Sequence, residues 1–459
     1  MLPVTVKEIA LATGAIMSTG QGEEKILDVV TDSRQVKAGD LFVARKGERV
    51  DGHNFISAAF AKGAVAALVE NDQMPQGNGI ILKVENTEQA LLHLAAWYRR
   101  KFGTTVVGVT GSTGKTSTKE MIAAVLTQEF NVHKSVGNYN TEVGVSLTLL
   151  QLEPKHEIAV IEMGMRGLGQ IRQLAQVALP KIGVITNIDV THLEILGTIE
   201  NIARAKGELL AEIPPDGVAI LNGDDQRQQE LAQNFAGKVI FYGFGEDNHF
   251  RAINIQPQKG VGTEFTVCTP EDKLEIKLNL PGKHNVRNAL AAIAVGSCFG
   301  LKLSSMAQGL AEFKPVAMRL DTIKTEDGVT IINDAYNANP TTMDIALTTL
   351  MDLKEKGRAI AVLGDMLELG PIAQSAHREL GYKAAGLGVD LLVVLGTWRE
   401  EVLAGARAGG LKQEQCRAFA SREEAVAFLD QYVTPGDVVL VKASRGLSLE
   451  YVVSQLASR

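Results

Sequence analysis

The segment VVGVTGSTGKTS, residues 106–117, constrains the fold more than any other part of the chain. Val106, Val107, Gly108 and Val109 read as a buried strand that runs into a glycine-rich turn, and a helix opens at Thr116. Such a strand–turn–helix points several backbone N–H groups at one spot, where the helix dipole also favours an anion. Gly111 and Gly114 let the backbone approach phosphate oxygens closely. Lys115 adds a point charge for the outer phosphates, and Thr116 offers a hydroxyl to Mg²⁺. The first glycine of G-x-x-x-x-G-K-[ST] is replaced by Val109, while the core of Gly111, Gly114, Lys115 and Thr116 is intact. The reading is a nucleoside-triphosphate loop that also includes Ser112, Thr113 and Ser117. The bland alternative is a glycine-rich turn without a ligand.

The surroundings have the alternation such a loop requires. Apolar runs at 158–161 and 182–185 read as further strands, and 116–129 as the helix after the loop. Strands alternating with helices predict a parallel, doubly wound sheet. Residues 250–280 differ, because 264–267 and 274–280 alternate like antiparallel strands; 289–301 then reads as a packed helix. Before the loop, 26–34 and 40–47 read as strands entering polar turns, 55–69 as a helix running into a strand, and 91–102 as a helix ending at Gly103. After Pro315 the pattern restarts, with strands at 329–332, 359–363, 391–395 and 438–441. The chain has 459 residues, and at roughly 150 per domain the length also suggests three domains. The expected architecture is α/β: a small mixed α/β domain over 1–103, a central phosphate-loop parallel-sheet ATPase domain with an antiparallel appendage over 104–314, and a Rossmann-like α/β domain over 315–459.

Composition narrows the function. The net charge of −7 argues against a nucleic-acid binder that works by neutralising phosphates. Three cysteines, Cys268, Cys298 and Cys416, are too few and too scattered for a disulfide framework or a CxxC metal site, which suits a reducing compartment. The longest near-apolar stretch, 289–301, is short for a membrane span, and the first residues lack a basic leader. A cytoplasmic protein without membrane insertion is expected.

Phosphoryl transfer needs charge neutralisation, so metal ligands are sought at the ends of neighbouring strands. Glu162 ends one strand and is a hard oxygen donor suited to Mg²⁺, although a solvated strand-end carboxylate fits equally. His192 follows the strand at 182–185 and reads as either a metal ligand or a solvated loop histidine. Lys206, in a helix of Ala, Arg and Glu, reads by itself as a surface lysine.

Taken together, these blocks resemble the Mur ligase family, the ATP-dependent amino-acid ligases of peptidoglycan precursor synthesis. The resemblance runs nearly end to end. It includes TDSRQVKAGDLFVARKGERVDGHNF (31–55), GVTGSTGKTSTKEM (108–121), GNYNTEVGVSLTLL (137–150), EMGM (162–165) and TNIDVTHLEILGT (186–198). ARAKGEL (203–209), LNGDD (221–225), PGKHNVRNALAA (281–292) and NDAYNANP (333–340) continue it. The blocks DAYNANP and LGDMLELG (363–370) are most similar to the branch that adds D-alanyl-D-alanine to UDP-N-acetylmuramoyl-tripeptide. Folylpolyglutamate synthases share the phosphate loop but lack a domain before it.

The resemblance implies roles. Lys115 and its loop would bind the ATP phosphates, and Thr116 and Glu162 would hold Mg²⁺. His192 would help hold a second ion, and Lys206 matches a lysine that this family can carbamylate into a carboxylate-like ligand. Asn285 and Asn288 would contact adenine; Arg319 and Asp334 would reach phosphate and ribose across a cleft. Ser33, Arg34 and Asn54 would hold the uridine diphosphate end of the sugar nucleotide. Asn138, Asn140 and Thr141 would face the muramoyl peptide. Arg166 and Gln170 stand where relatives place other polar residues, and the run 165–170 departs from the Asn-His-containing form of some members. Asn337, Asn339 and Arg445 are dipeptide-site candidates, with an Asx-type turn and a solvated arginine as the alternatives. The implied enzyme is a monomer using ATP and two Mg²⁺ ions, with no nucleic-acid partner and a hinge near 314–320. A sibling ligase taking another amino acid, a nucleotide-dependent regulatory module and an inactive scaffold are the competing readings.

Overall fold

The computed structural model describes residues 1–18, 21–47, 50–70, 79–258 and 262–458. Residues 48–49 of the block 31–55 and 259–261 of the alternating stretch lie outside the described residues. Three α/β units follow one another, each built on its own sheet.

The first sheet has strands Asp28–Val30, Asp40–Val43, Ala66–Val69 and Ile80–Lys83 in parallel, with Ile16–Met17 antiparallel at the edge. Helix Thr87–Arg99 follows, its N-terminus capped by Asn86, whose Oδ1 accepts from Gln89 N at 2.8 Å. Its last residue clips the unit to the next one. The buried Arg99 guanidinium donates to the carbonyls of Thr104 (2.6 Å), Phe102 (2.9 Å) and Ala178 (3.0 Å).

Among the described residues the central sheet has nine strands. Their order is Lys273–Leu278, Gly262–Cys268, Phe250–Gln258, Lys238–Gly243, Val218–Asn222, Ile182–Ile185, Thr105–Thr110, Ile158–Glu162 and Val132–Lys134. Val106, Val107, Val109, Ile158 to Ile161 and Ile182 are all buried, because helices cover both faces of the parallel part. The three strands at 250–278 extend this sheet: Phe250–Gln258 pairs in parallel with Lys238–Gly243 and antiparallel with Gly262–Cys268. The appendage is therefore continuous with the ATPase-type sheet. Strand Thr105–Thr110 lies between Ile158–Glu162 and Ile182–Ile185, where the strand order reverses. That switch point opens a crevice at the carboxyl ends of these three strands.

The third sheet runs Asp321–Lys324, Thr330–Asp334, Val438–Lys442, Ala359–Leu363, Leu391–Leu395 and Cys416–Phe419, parallel except for its first strand. Here the expected Rossmann-like alternation is present. Helix limits shift from the sequence reading: Lys115–Leu126 starts one residue early, Lys283–Cys298 starts six residues before 289, and Thr87–Arg99 replaces 91–102. In each case polar residues near the N-terminus broke the apolar pattern used to place the start. Among the described residues no helix is long and apolar enough to cross a membrane.

Candidate functional site

The crevice of the central sheet faces the carboxyl ends of the third sheet across a cleft of about 1090 Å³. Loop residues Ser112 to Ser117 line it. Gly111 has φ +149°, and a methyl group there would overlap the Thr186 hydroxyl, so only glycine fits. Gly114, at φ +75°, lies under the Asn288 amide, which a Cβ would approach to 2.9 Å. The loop is pinned from the next strand end: Thr113 N donates to Asn187 Oδ1 at 2.8 Å, Asp189 N to Ser112 Oγ at 2.9 Å, and Thr186 Oγ1 to Thr113 O at 2.6 Å.

Lys115 folds back, its ammonium donating to Gly111 O (2.8 Å) and Ser112 O (3.3 Å). Burial pushes its pKa down to about 8; Glu162 opposes the shift and Arg319 adds to it. Thr116 Oγ1 is buried without a hydrogen-bond partner, and so is Glu162 Oε2. Buried oxygens are normally paired, so two orphans beside a phosphate loop fit the donor set of a hard cation. Glu162 Oε1 is held by Asn140 Nδ2 at 2.7 Å, and Ser135 Oγ accepts from Glu162 N at 3.1 Å. This ties the predicted peptide-facing loop, with Asn138, Asn140 and Thr141 on the cleft wall, to the predicted metal ligand.

Lys119, fully buried on the helix after the phosphate loop, was not singled out from sequence. Its ammonium donates to Ser135 O (2.7 Å) and Gly137 O (2.8 Å) and pairs with Glu120 at 2.8 Å. Lys119→Met removes the donor from both carbonyls, and a loss of about 3 kcal/mol is expected, measurable by denaturant unfolding. A change under 0.5 kcal/mol would show that water replaces the ammonium.

His192 lines the cleft in a left-handed conformation, φ 54° and ψ 31°. Its Nδ1 is 2.6 Å from Glu368 Oε2 of the third unit. Burial lowers the imidazole pKa, and Glu368 opposes that shift. Lys206 does not line the cleft; it stands behind the wall, 1% exposed. Burial, reinforced by Lys115, holds its ammonium well below the ordinary lysine range, with Asp189 opposing. Among the described residues no group of three His, Cys, Asp or Glu side chains converges on one point.

On the opposite wall, Asp334 Oδ2 accepts from Lys442 Nζ at 2.5 Å and Oδ1 from Leu320 N at 3.1 Å. Arg319 sits over the Tyr336 ring, 4.2 Å from its centroid. Asn337 lines the cleft and its carbonyl accepts from Lys442 at 2.8 Å. Asn339 also lines it, but its side chain caps helix Pro340–Leu353, accepting from Thr342 N at 2.9 Å. Arg445 pairs with Glu450 at 2.9 Å beside the opening. Both asparagines thus stand at the cleft, and the Asx-type alternative describes the Asn339 side chain. Gln170 Oε1 accepts from Arg166 N (2.6 Å) and Gly167 N (3.0 Å), shaping the turn at 165–170.

At the far end, Asn285, Asn288 and His284 line the cleft. Asn285 Nδ2 donates to Pro281 O at 2.9 Å. His284 Nε2 is buried and unpartnered, and burial, helped by Arg287 and Lys442, pushes the imidazole from 6.5 to about 4. A pKa lowered on folding means stability present above pH 6.5 and lost as pH falls towards 4. The loss is expected to reach about 3 kcal/mol and to be absent in His284→Gln, as followed by thermal unfolding from pH 7 to 4. Identical pH profiles for the two proteins would sink that account.

Ser33, Arg34 and Asn54 do not reach this cleft. They follow the carboxyl ends of parallel strands Asp28–Val30 and Asp40–Val43, where Lys62 donates to Ser33 O (2.9 Å) and Arg34 O (3.2 Å). Arg34 is bound to Asp32 at 2.8 Å and is otherwise exposed. The first unit reaches the cleft instead through Arg45 and its ion-pair partner Glu88, neither singled out from sequence.

A phosphate loop at the switch point of one parallel sheet, closed over by the strand ends of a second, defines an ATP-dependent enzyme of the three-unit α/β class. The Mur ligase middle domain matches residues 109–296, the "Mur ligase, glutamate ligase domain" 318–445 and the "Mur ligase family, catalytic domain" 25–99. The chain belongs to the Mur ligase family. It is 39% identical to the UDP-N-acetylmuramoyl-tripeptide--D-alanyl-D-alanine ligase of Bacillus subtilis (strain 168), covering 99% of both chains. It is 35% identical to the protein of the same name from Escherichia coli (strain K12), again covering 99% of both. A crystal structure of MurF from Acinetobacter baumannii superposes with a TM-score of 0.90 at 31% identity, covering 100% of this chain and 99% of that one. The MurF ligase from Thermotoga maritima in complex with ADP gives 0.81 at 31%, covering 94% and 97%.

Proposed function

We propose that this chain joins D-alanyl-D-alanine to UDP-N-acetylmuramoyl-tripeptide at the expense of ATP, in peptidoglycan precursor synthesis. The observation that carries the reading is the single cleft in which the phosphate loop, the Asn138 to Thr141 loop and the strand ends at Asp334 and Lys442 meet. The end-to-end likeness to ligases of that name supports the choice of substrates. A free carboxylate is a poor electrophile. The tripeptide carboxylate therefore attacks the γ-phosphate, releasing ADP, and the dipeptide amine displaces phosphate from the acyl phosphate to form the amide.

Residues 1–103 would receive the sugar nucleotide, 104–314 ATP and 315–459 the dipeptide. Ser33, Arg34 and Asn54 would hold the uridine diphosphate, and Asn138, Asn140 and Thr141 the muramoyl peptide. Ser112 to Ser117 would cradle the phosphates, with Lys115 and Arg319 offsetting charge on the transferring group. Asn285 and Asn288 would meet adenine, Asp334 the ribose, and Asn337, Asn339 and Arg445 the dipeptide. Thr116 and Glu162, whose orphaned oxygens fit a hard cation, would hold Mg²⁺; His192 and a carbamylated Lys206 would serve a second ion. Bound Mg²⁺ supplies Lewis-acid stabilisation of phosphoryl charge. The depressed pKa of Lys206 suits carbamylation, since only a neutral amine captures carbon dioxide. A monomer in a cytoplasmic setting belongs to the same reading, and the use of ATP supports the setting.

The test is phosphate release from ATP with UDP-N-acetylmuramoyl-tripeptide, with and without D-alanyl-D-alanine. Release requiring both, with a product heavier by the dipeptide, is expected. Release supported by single amino acids but not the dipeptide would transfer the assignment to a sibling ligase. Residues 314–320 join the two cleft walls, with Met318 and Leu320 in left-handed conformations, and would act as the hinge. A crosslink across the cleft is expected to stop turnover; full activity in the crosslinked protein would remove the hinge.

A further inference from the structure

The block LGDMLELG is used by nothing in the mechanism so far, yet its loop is strongly specified. Met366 N donates to His377 Nε2 at 2.9 Å, and Leu367 N donates to Ser444 Oγ at 2.9 Å. Between these anchors and Gly370, which packs against Glu194, the chain forces Glu368 into a left-handed backbone at φ 62°. Its target His192, on the other wall, is also left-handed at φ 54°. Both residues hold sparsely populated left-handed conformations, and the two bent turns bring their side chains together at 2.6 Å from opposite walls. The carboxylate is the acceptor, so the ring proton lies on Nδ1, and the neutral ring presents its Nε2 lone pair away from Glu368.

We infer that Glu368 is a positioning residue that reaches across the cleft to fix the tautomer and ring orientation of His192 for metal binding. The inference rests on the proposed role of His192 as a cation ligand. It adds that this ligand is completed by the opposite wall, so that docking of the third unit and readiness of the metal site are one event. A carboxylate behind a histidine ligand orients the ring, and its loss costs about 10–100-fold in metal affinity or activity.

The test uses the full chain with Mn²⁺ and a non-hydrolysable ATP analogue, and reads the imidazole ¹⁴N modulation in pulsed electron paramagnetic resonance. Wild type is expected to show the modulation and His192→Asn to lose it. Glu368→Ala should lose most of it, with kcat down about 10–100-fold. Glu368→Gln, whose amide oxygen still accepts from Nδ1–H, should retain it, which a merely structural carboxylate would not require. Full modulation and wild-type kcat in Glu368→Ala would overturn the positioning role alone. Absence of modulation in wild type would overturn the ligand role of His192 and this inference with it.

Discussion

Lys115→Ala is expected to lower kcat by about 10³-fold, the cost of deleting one preorganised charge from a phosphoryl-transfer site. The ammonium is buried at the helix start and already faces the carbonyls of Gly111 and Ser112. Those carbonyls hold it over the loop, and on the proposed reading phosphate oxygens would be its stronger partner. Burial has lowered its pKa to about 8, so an anion that restores full charge gains more than it would from an exposed lysine. Lys115→Arg is expected to be nearly as inactive, because a planar guanidinium does not fit a space shaped for a compact point charge. ADP release under saturating substrates measures both. Activity of the alanine variant within tenfold of wild type would show that the loop amides and the cation carry the transfer without it.

Lys442→Met is expected to destabilise the third unit by about 3–5 kcal/mol, because it leaves a carboxylate buried without its cation. Asp334 and Lys442 are register partners on adjacent parallel strands, and both side chains are almost fully covered. Burial raises the Asp334 pKa even with Lys442 beside it. A carboxyl with a raised folded pKa favours the folded state only while protonated, so the variant should lose stability as pH rises through that pKa. Hydrogen exchange in strands Thr330–Asp334 and Val438–Lys442 reads the change locally, which matters because three units need not unfold in one step. The double variant Asp334→Asn, Lys442→Met should recover most of the loss. A single variant less than 1 kcal/mol below wild type would mean that the pair is solvated in solution.

The buried strands at 158–162 and 182–185 were legible because helices on both faces of a parallel sheet demand unbroken apolar runs. The phosphate loop was legible because strand, turn and helix are contiguous, so the site is assembled by local geometry. Edge strands Asp321–Lys324 and Cys416–Phe419 were not anticipated; they are largely half-exposed, and their short sequences carry no apolar run. Asn339 carries two readings in the sequence because a helix cap and a ligand contact ask for the same residue type.

By itself the sequence determined the α/β class, the three-unit plan, the phosphate loop and the chemical identity of Glu162, His192 and Lys206. Tertiary structure alone decided which residues meet. Strand Val438–Lys442 inserts between Thr330–Asp334 and Ala359–Leu363, and only that order brings Lys442 to Asp334, 108 residues away. Docking of two sheets by their strand ends brings Glu368 to His192 across 176 residues, and folding of the 135–141 loop onto a helix gives Lys119 its carbonyls. Local patterns reflect the covering of each strand and the dihedrals of each turn. Strand order and sheet docking are set by the summed packing of whole units, which no short window of residues contains.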